Sequence, residues 1–260
     1  MSRRLVRRRP AFYFCTRGFS SAVDGTMVDG EAAAMESVRL DADAVAYCSA
    51  NLDWARLRAL TDMVGGAGDD GSGGGGSNND GGDGGGGGSN HGGGGGHGRV
   101  LVSGVGKSGA VAQRLAASLT STGTPAHFVH AAEWAHGDLG SARPGDVALF
   151  FSHSGGTAEC VGAARALAAR GGVAVAAIVG DGAGGDASAL GAASDVCVAY
   201  PLDAGRFAEP LGLVPTSSVV LQEVVANALV SALVARRGFG REAFARNHPG
   251  GAIGEALRGD

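Results

Sequence analysis

From Arg99 onward, short apolar runs alternate with Ala-rich stretches, and this alternation constrains the chain more than any other feature. Runs at Val100 to Ser103, His127 to Val129, Val147 to Phe151, Val173 to Val179 and Val196 to Ala199 have the length of strands. They are apolar on consecutive positions, as strands covered on both faces must be. Between and after them, Ala110 to Thr120, Ala158 to Arg170, Asp186 to Ala192 and Ser217 to Arg236 read as helices. Strand and helix in turn predict βαβ units and a mainly parallel five-stranded sheet in a three-layer α/β/α sandwich. Such sheets bind ligands outside the carboxyl ends of their strands.

The 99–260 segment accounts for one domain. The 24–64 segment before it carries Val38, Val45, Leu52, Leu57 and Leu60 among charged residues, at spacings that predict a helical arm of the same domain. Between the two, residues 65–98 hold 21 of the 49 glycines, with Ser, Asn, Asp and almost no apolar side chain. Such a composition cannot offset the entropy of ordering, so it is expected to be a disordered insertion. An insertion of this kind is thermodynamically mild, at about 0.6 kcal/mol per doubling of loop length. His91 and His97 inside it have no companion ligands at metal-binding spacing and read as solvated linker residues.

Charge excludes one class of partner. The first 23 residues contain six arginines and no acid, while the whole chain carries a net charge of -4, so the remainder stands at -10. An acidic body lacks the clustered cations that bind a phosphate backbone, and nucleic acid is not expected as a partner. The basic, Ser-containing leader lacks the long apolar run of a secretory signal and reads as an organelle transit peptide, mitochondrial ahead of plastid. The alternative is a basic tail on a cytoplasmic protein. No run of 18 apolar residues is present, so no membrane span is expected. Cys15, Cys48, Cys160 and Cys197 form no CxxC pair and suggest neither disulfide nor zinc.

Two strand-to-helix turns carry chemistry. Gly104 to Gly109 fits GxGxxG, yet a dinucleotide site wants an acid at the end of the second strand, where His130 stands and Glu133 comes late. Gly106-Lys107-Ser108 fails as a P-loop because Leu101 occupies the position of the required first glycine. A Gly turn feeding a helix N-terminus remains, and that arrangement favours an anion. Lys107 is the only lysine beside twenty arginines, which suggests a place where a compact ammonium is needed in preference to a planar fork. The second turn, Ser152-His153-Ser154-Gly155-Gly156-Thr157, offers hydroxyls and helix amides to a phosphate monoester and leads to Glu159. Taken alone, either turn is also compatible with an ordinary helix cap.

In order along the chain come Gly104 to Gly109, Ser121-Thr122-Gly123-Thr124-Pro125, His136-Gly137-Asp138-Leu139-Gly140, the Ser-His-Ser-Gly-Gly-Thr turn, Leu211 to Ser218, and His248-Pro249-Gly250-Gly251. This set resembles the sugar isomerase (SIS) domain family, in its D-arabinose 5-phosphate isomerase branch. The resemblance implies interconversion of D-ribulose 5-phosphate and D-arabinose 5-phosphate through an enediol, feeding Kdo synthesis without metal or cofactor. It also implies a homotetramer with sites at subunit boundaries, and a catalytic domain lacking the CBS modules that many members append. By the same resemblance Lys107 stabilises the developing enediolate, and Glu159 and His248 transfer protons. Gly106, Ser108, His136, Ser152, Ser154, Thr157, Thr216, Ser217 and Ser218 fall at substrate-binding positions. One departure stands out: where the family places a glutamate three residues before the proline of its PLGL segment, this chain has Phe207, and Glu209 precedes Pro210. Glu209 is a shifted candidate for the lost carboxylate, expected to point away from the side that residue 207 faces. The alternatives are a non-catalytic sugar-phosphate-binding module and an isomerase of another sugar phosphate.

Overall fold

The structure is a computed structural model that describes residues 30–67, 98–203, 205, 207–250 and 254–256. The leader, residues 68–97 of the glycine tract with His91 and His97, Cys15 and Gly251 lie outside the described residues, whereas Gly65, Gly66 and Ala67, expected in the disordered insertion, belong to a helix that ends at Ala67, with Gly65 and Ala67 buried.

Five parallel strands, β1 (Val100–Gly104), β2 (Ala126–His130), β3 (Val147–Ser152), β4 (Ala174–Gly180) and β5 (Val196–Tyr200), form one sheet in the order β2-β1-β3-β4-β5. Alternation along each strand divides the core. Val100, Val102, Leu149, Phe151, Ile178 and Val198 pack on one face, whereas Leu101, Ala148, Phe150, Val175, Ala177 and Val179 pack on the other. The first face is covered by α1 (Gly30–Asn51), α2 (Trp54–Ala67), α3 (Gly106–Ser121) and α5 (Ser217–Arg237), the second by α4 (Ala158–Arg170) and short 3-10 turns. The expected three-layer α/β/α sandwich is therefore present. A further helix, α6 (Arg241–Asn247), follows α5.

The N-terminal segment is two helices. Asp53 breaks it, its Oδ1 accepting the amides of Ala55 (3.0 Å) and Arg56 (3.1 Å) as the N-cap of α2. Cys48, Leu52, Leu57, Leu60 and Val64 join the core beneath β1, β3 and β5. The predicted helix at Asp186 to Ala192 is absent: two 3-10 turns, Gly185–Ala187 and Gly191–Ala193, replace it. The reason is the glycine pair that frames them, because a Cβ on Gly191 would lie 2.2 Å from the Gly185 carbonyl.

Over 21 residues α5 is long and apolar enough, by length and composition, to cross a bilayer. In this fold Leu221, Val225, Leu229 and Leu233 recur on one stripe and are buried in the core. Gly238, with φ of 55°, ends the helix, and the Phe239 amide donates to Val234 O at 3.0 Å.

Candidate active site

The sheet order reverses between β1 and β3, whose crossover helices α3 and α4 lie on opposite faces. Gly104 and Phe151 are register partners, so the turns leaving these two strands open side by side at the carboxyl edge.

After β1 the chain turns at once. A Cβ on Gly104 would stand 3.0 Å from Gly109 N and 3.1 Å from its Cα, so only glycine lets strand and helix approach this closely. Gly106 has φ of 58°, the left-handed region that a bare residue adopts freely. Val105 supplies no side-chain cap to α3, and the amides of Gly106, Lys107 and Ser108 begin the helix without intrahelical acceptors. Lys107 is exposed on that first turn. Lys107 thus adds an exposed cation to the positively polarised end of α3.

The turn after β3 repeats the arrangement. Gly155 has φ of 58°, and Thr157 is the N-cap residue of α4 without capping it by its side chain. Its hydroxyl is instead 2.8 Å from Ser152 Oγ, a buried group, so the two brace the turn from within. Ser154 is exposed, with its Oγ accepting the Gly156 amide at 3.3 Å. Glu159 is exposed on the first turn of α4.

His136 ends a 3-10 turn, Glu133–His136, that follows β2 on the same edge. Trp134, 1% exposed, holds that turn by donating from Nε1 to Ser103 Oγ at 3.0 Å, while Ser103 donates to Val129 O at 2.7 Å. His136 itself is exposed.

Thr216, Ser217 and Ser218 start α5 beside the end of β5, but their hydroxyls are engaged within the chain. Thr216 donates to Ala208 O, and Ser218 donates to Glu209 Oε1. Ser217 Oγ accepts the Ala208 amide (2.9 Å) and lies 2.5 Å from Asp41 Oδ1, tying α1 to this edge. Phe207 stacks on His153 with ring centroids 5.9 Å apart, and Glu209 lies close enough for its charge to bear on the same imidazole. The expected opposite orientation does not hold. Residues 207 and 209 are two apart in an extended segment, which places them on one side, and the intervening Ala208 is the buried one.

His248 is the member this chain does not bring to the edge. Its Nδ1 bonds Phe244 O at 2.8 Å, and its ring stacks on Phe244 at 3.9 Å. The neighbouring Asn247 donates to Ser121 O, the last residue of α3, at 3.1 Å. Lys107 stands at the other end of that helix, about 20 Å away at 1.5 Å per residue. Sequence reasoning missed the side chain of His153, which bonds Tyr200 and packs under Phe207. A signal was present: a histidine between two serines of the turn after β3, and a tyrosine closing β5. Among the described residues no group of three or more His, Cys, Asp or Glu is placed to hold a metal ion.

Comparison with known proteins fits this geometry. Residues 96–232 match the SIS domain family. Arabinose 5-phosphate isomerase KdsD of Pseudomonas aeruginosa is 46% identical over 162 residues, 62% of this chain and 47% of the relative. Arabinose 5-phosphate isomerase GutQ of Escherichia coli K12 is 44% identical over 160 residues, 62% of this chain and 48% of the relative. The chain spans about half the length of the curated relatives it matches. Among solved structures, a protein of E. coli CFT073 in complex with arabinose 5-phosphate superposes with a TM-score of 0.66 at 27% identity, over 86% of this chain and 100% of that one. The sugar isomerase domain of an RpiR transcription factor from Sphaerobacter thermophilus, 17% identical, shares the fold with a TM-score of 0.59 over 86% of this chain and 98% of that one.

Proposed function

The chain belongs to the SIS domain family, and from that premise we propose that it is an aldose-ketose isomerase interconverting D-ribulose 5-phosphate and D-arabinose 5-phosphate. The observation that carries the proposal is the pairing of two helix N-termini across the β1/β3 switch point, with Lys107 and Glu159 on their first turns. The relatives named for this activity, and the solved neighbour holding arabinose 5-phosphate, support the same substrate class.

Chemistry assigns the parts. The amides of Gly106 and Ser108, with Ser154 on the turn that the Ser152–Thr157 pair braces from within, take the phosphate, a group unchanged by the reaction. Glu159 moves a proton between C1 and C2, passing through an enediol whose developing oxyanion lies beside the Lys107 ammonium. His136 offers a donor from the β2 side. Glu209, on the side of residue 207 and held by Ser218, supplies a second carboxylate to the edge.

His248 completes the site from another copy. Its place near the far end of α3 separates it from the Lys107 turn of its own chain, and this supports a homotetramer with sites at subunit boundaries. Mixtures of His248→Ala and Glu159→Gln chains, each inactive alone, then regain activity. The Arg-rich leader supports import into an organelle, the mitochondrion ahead of the plastid, and a fluorescent fusion lacking residues 1–23 stays cytosolic.

Phe207 favours one second reading, a sugar-phosphate sensor that has dropped catalytic groups. A coupled assay offering arabinose 5-phosphate, ribulose 5-phosphate and a hexose phosphate panel separates the two. Turnover of the pentose pair supports the isomerase, and binding without turnover supports the sensor.

A further inference from the structure

His153 stands in the middle of the phosphate turn with its side chain turned inward, away from the exposed Ser154 beside it. Both ends of the residue are anchored. Its carbonyl accepts the Gly180 amide at the end of β4 (3.1 Å), and its Nδ1 lies 2.7 Å from the Tyr200 hydroxyl at the end of β5. Gln222 of α5 donates from Nε2 to the same hydroxyl at 3.2 Å. Tyr200 and Gln222 are 0% and 1% exposed. Gly180 makes room for this clamp, since a Cβ there would lie 3.1 Å from His153 O and 3.2 Å from Nδ1.

The protons can be placed. A phenol has one, and the Gln222 amide decides where it goes: with Nε2 toward the Tyr200 oxygen and the buried Oε1 left without a partner, Tyr200 donates to His153. Nδ1 is then the bare nitrogen and Nε2 carries the ring proton. Burial pushes the Tyr200 phenol well above its ordinary range, keeping that donor in place. Burial also pulls His153 below its ordinary value, against the opposing pull of the Glu209 and Asp181 carboxylates, so the ring stays neutral. The groups bearing on the cluster are Tyr200 from β5, Asp181 after β4, Glu209 before α5, the uncharged Gln222 and the Cys48 thiol of α1.

We propose that His153 is a positioning residue for the sugar phosphate: Tyr200 and Gln222 lock its imidazole in the Nε2–H tautomer and thereby fix the backbone that presents Ser154, Gly155 and Gly156 to the phosphate. The inference rests on the proposed reading that this turn takes the phosphate. A second proton on Nδ1 displaces the Tyr200 donor, so acid loosens the turn before it touches the reacting carbons.

Tyr200→Phe in the full chain removes one hydroxyl and keeps the ring. The KM for arabinose 5-phosphate then rises about three- to tenfold while kcat stays within about twofold, because the lost bond acts on phosphate binding. The dissociation constant of inorganic phosphate rises by the same factor. In 15N-histidine spectra of the wild type, signals identified by their loss in His153→Asn show a bare Nδ1 and a protonated Nε2, and Tyr200→Phe mixes the tautomers. Gln222→Met gives the same direction if Tyr200→Phe does not fold. Unchanged phosphate affinity in a folded variant, or a wild-type proton on Nδ1, overturns the proposal. Phosphate affinity and tautomer are both read without turnover. A wild type that binds phosphate but does not isomerise arabinose 5-phosphate therefore refutes the proposed function and leaves this test standing.

Discussion

Gly155→Ala perturbs the turn after β3 at a point where the cost can be worked out. Gly155 and Gly106 share a φ of 58°, so alanine at either position adopts the left-handed region. That strain costs about 1–2 kcal/mol. Space separates the two positions. At Gly106 a new Cβ meets nothing within 4 Å, whereas at Gly155 it lies 2.6 Å from Ser188 Cβ and 2.7 Å from Ser188 Oγ. Ser188 cannot swing aside freely, because its hydroxyl donates to Gly185 O (2.7 Å) and accepts the Gly191 amide (3.0 Å). Overpacking of this kind adds about 1–3 kcal/mol. Gly155→Ala therefore loses about 2–5 kcal/mol in all and Gly106→Ala about 1–2 kcal/mol. At about 2–4 °C per kcal/mol for a chain of this size, the Tm falls about 4–20 °C in the first case and about 2–8 °C in the second. Thermal unfolding followed by circular dichroism measures both, and Ser188→Gly combined with Gly155→Ala recovers part of the loss. Equal losses at the two glycines, or no recovery in the double variant, refute the steric reasoning.

Lys107→Arg folds and loses most of its turnover, since a guanidinium fork replaces a point charge; wild-type kcat in that variant removes Lys107 from oxyanion stabilisation. Ser154→Ala raises KM with little change in kcat, as steady-state kinetics will show, because the phosphate is bound alike in ground and transition states. The lowered pKa of half-buried His153 means that the unfolded chain binds a proton there which the folded chain refuses. Stability contributed by this site is thus lost as pH falls below 6.5 towards the folded value, and His153→Asn flattens the Tm profile in that window. Asp181, raised above 3.8 by burial, acts with the opposite sign: the stability it gives when protonated is lost as pH rises from 3.8 through its folded value. Burial pushes the thiols of Cys48 and Cys197 up to about 11 and that of Cys160 up to about 12. Iodoacetamide at neutral pH therefore leaves these three unmodified in the folded protein, as mass spectrometry will show.

All five strands were legible in the sequence, within a residue or two, four of them because short apolar runs bounded by turn residues leave little alternative, and the half-exposed edge strand β2 because it falls between two such units. The turns after β1 and β3 were legible because they need glycine and hydroxyls at fixed places. What escaped reading was non-local or cooperative. His153 meets Tyr200 across 47 residues, and Gln222 joins them 22 residues further on, so no window of sequence shows the cluster. The Asp186 to Ala192 stretch is Ala-rich enough for a helix, but Gly191 packs against Gly185 and forces tight turns. Asp53 splits the N-terminal segment by capping α2, a local signal that was present beside the helical spacing. The side that Glu209 faces follows from counting two residues along an extended segment from Phe207, where Ala208 takes the inward position.

The most direct test of the isomerase account follows 13C-labelled arabinose 5-phosphate by NMR in D2O with the full chain. The account predicts that ribulose 5-phosphate appears, that both sugars reach the same equilibrium from either side, and that solvent deuterium enters at the carbons joined in the enediol. Saturable binding of arabinose 5-phosphate, with neither ribulose 5-phosphate nor deuterium exchange, contradicts it.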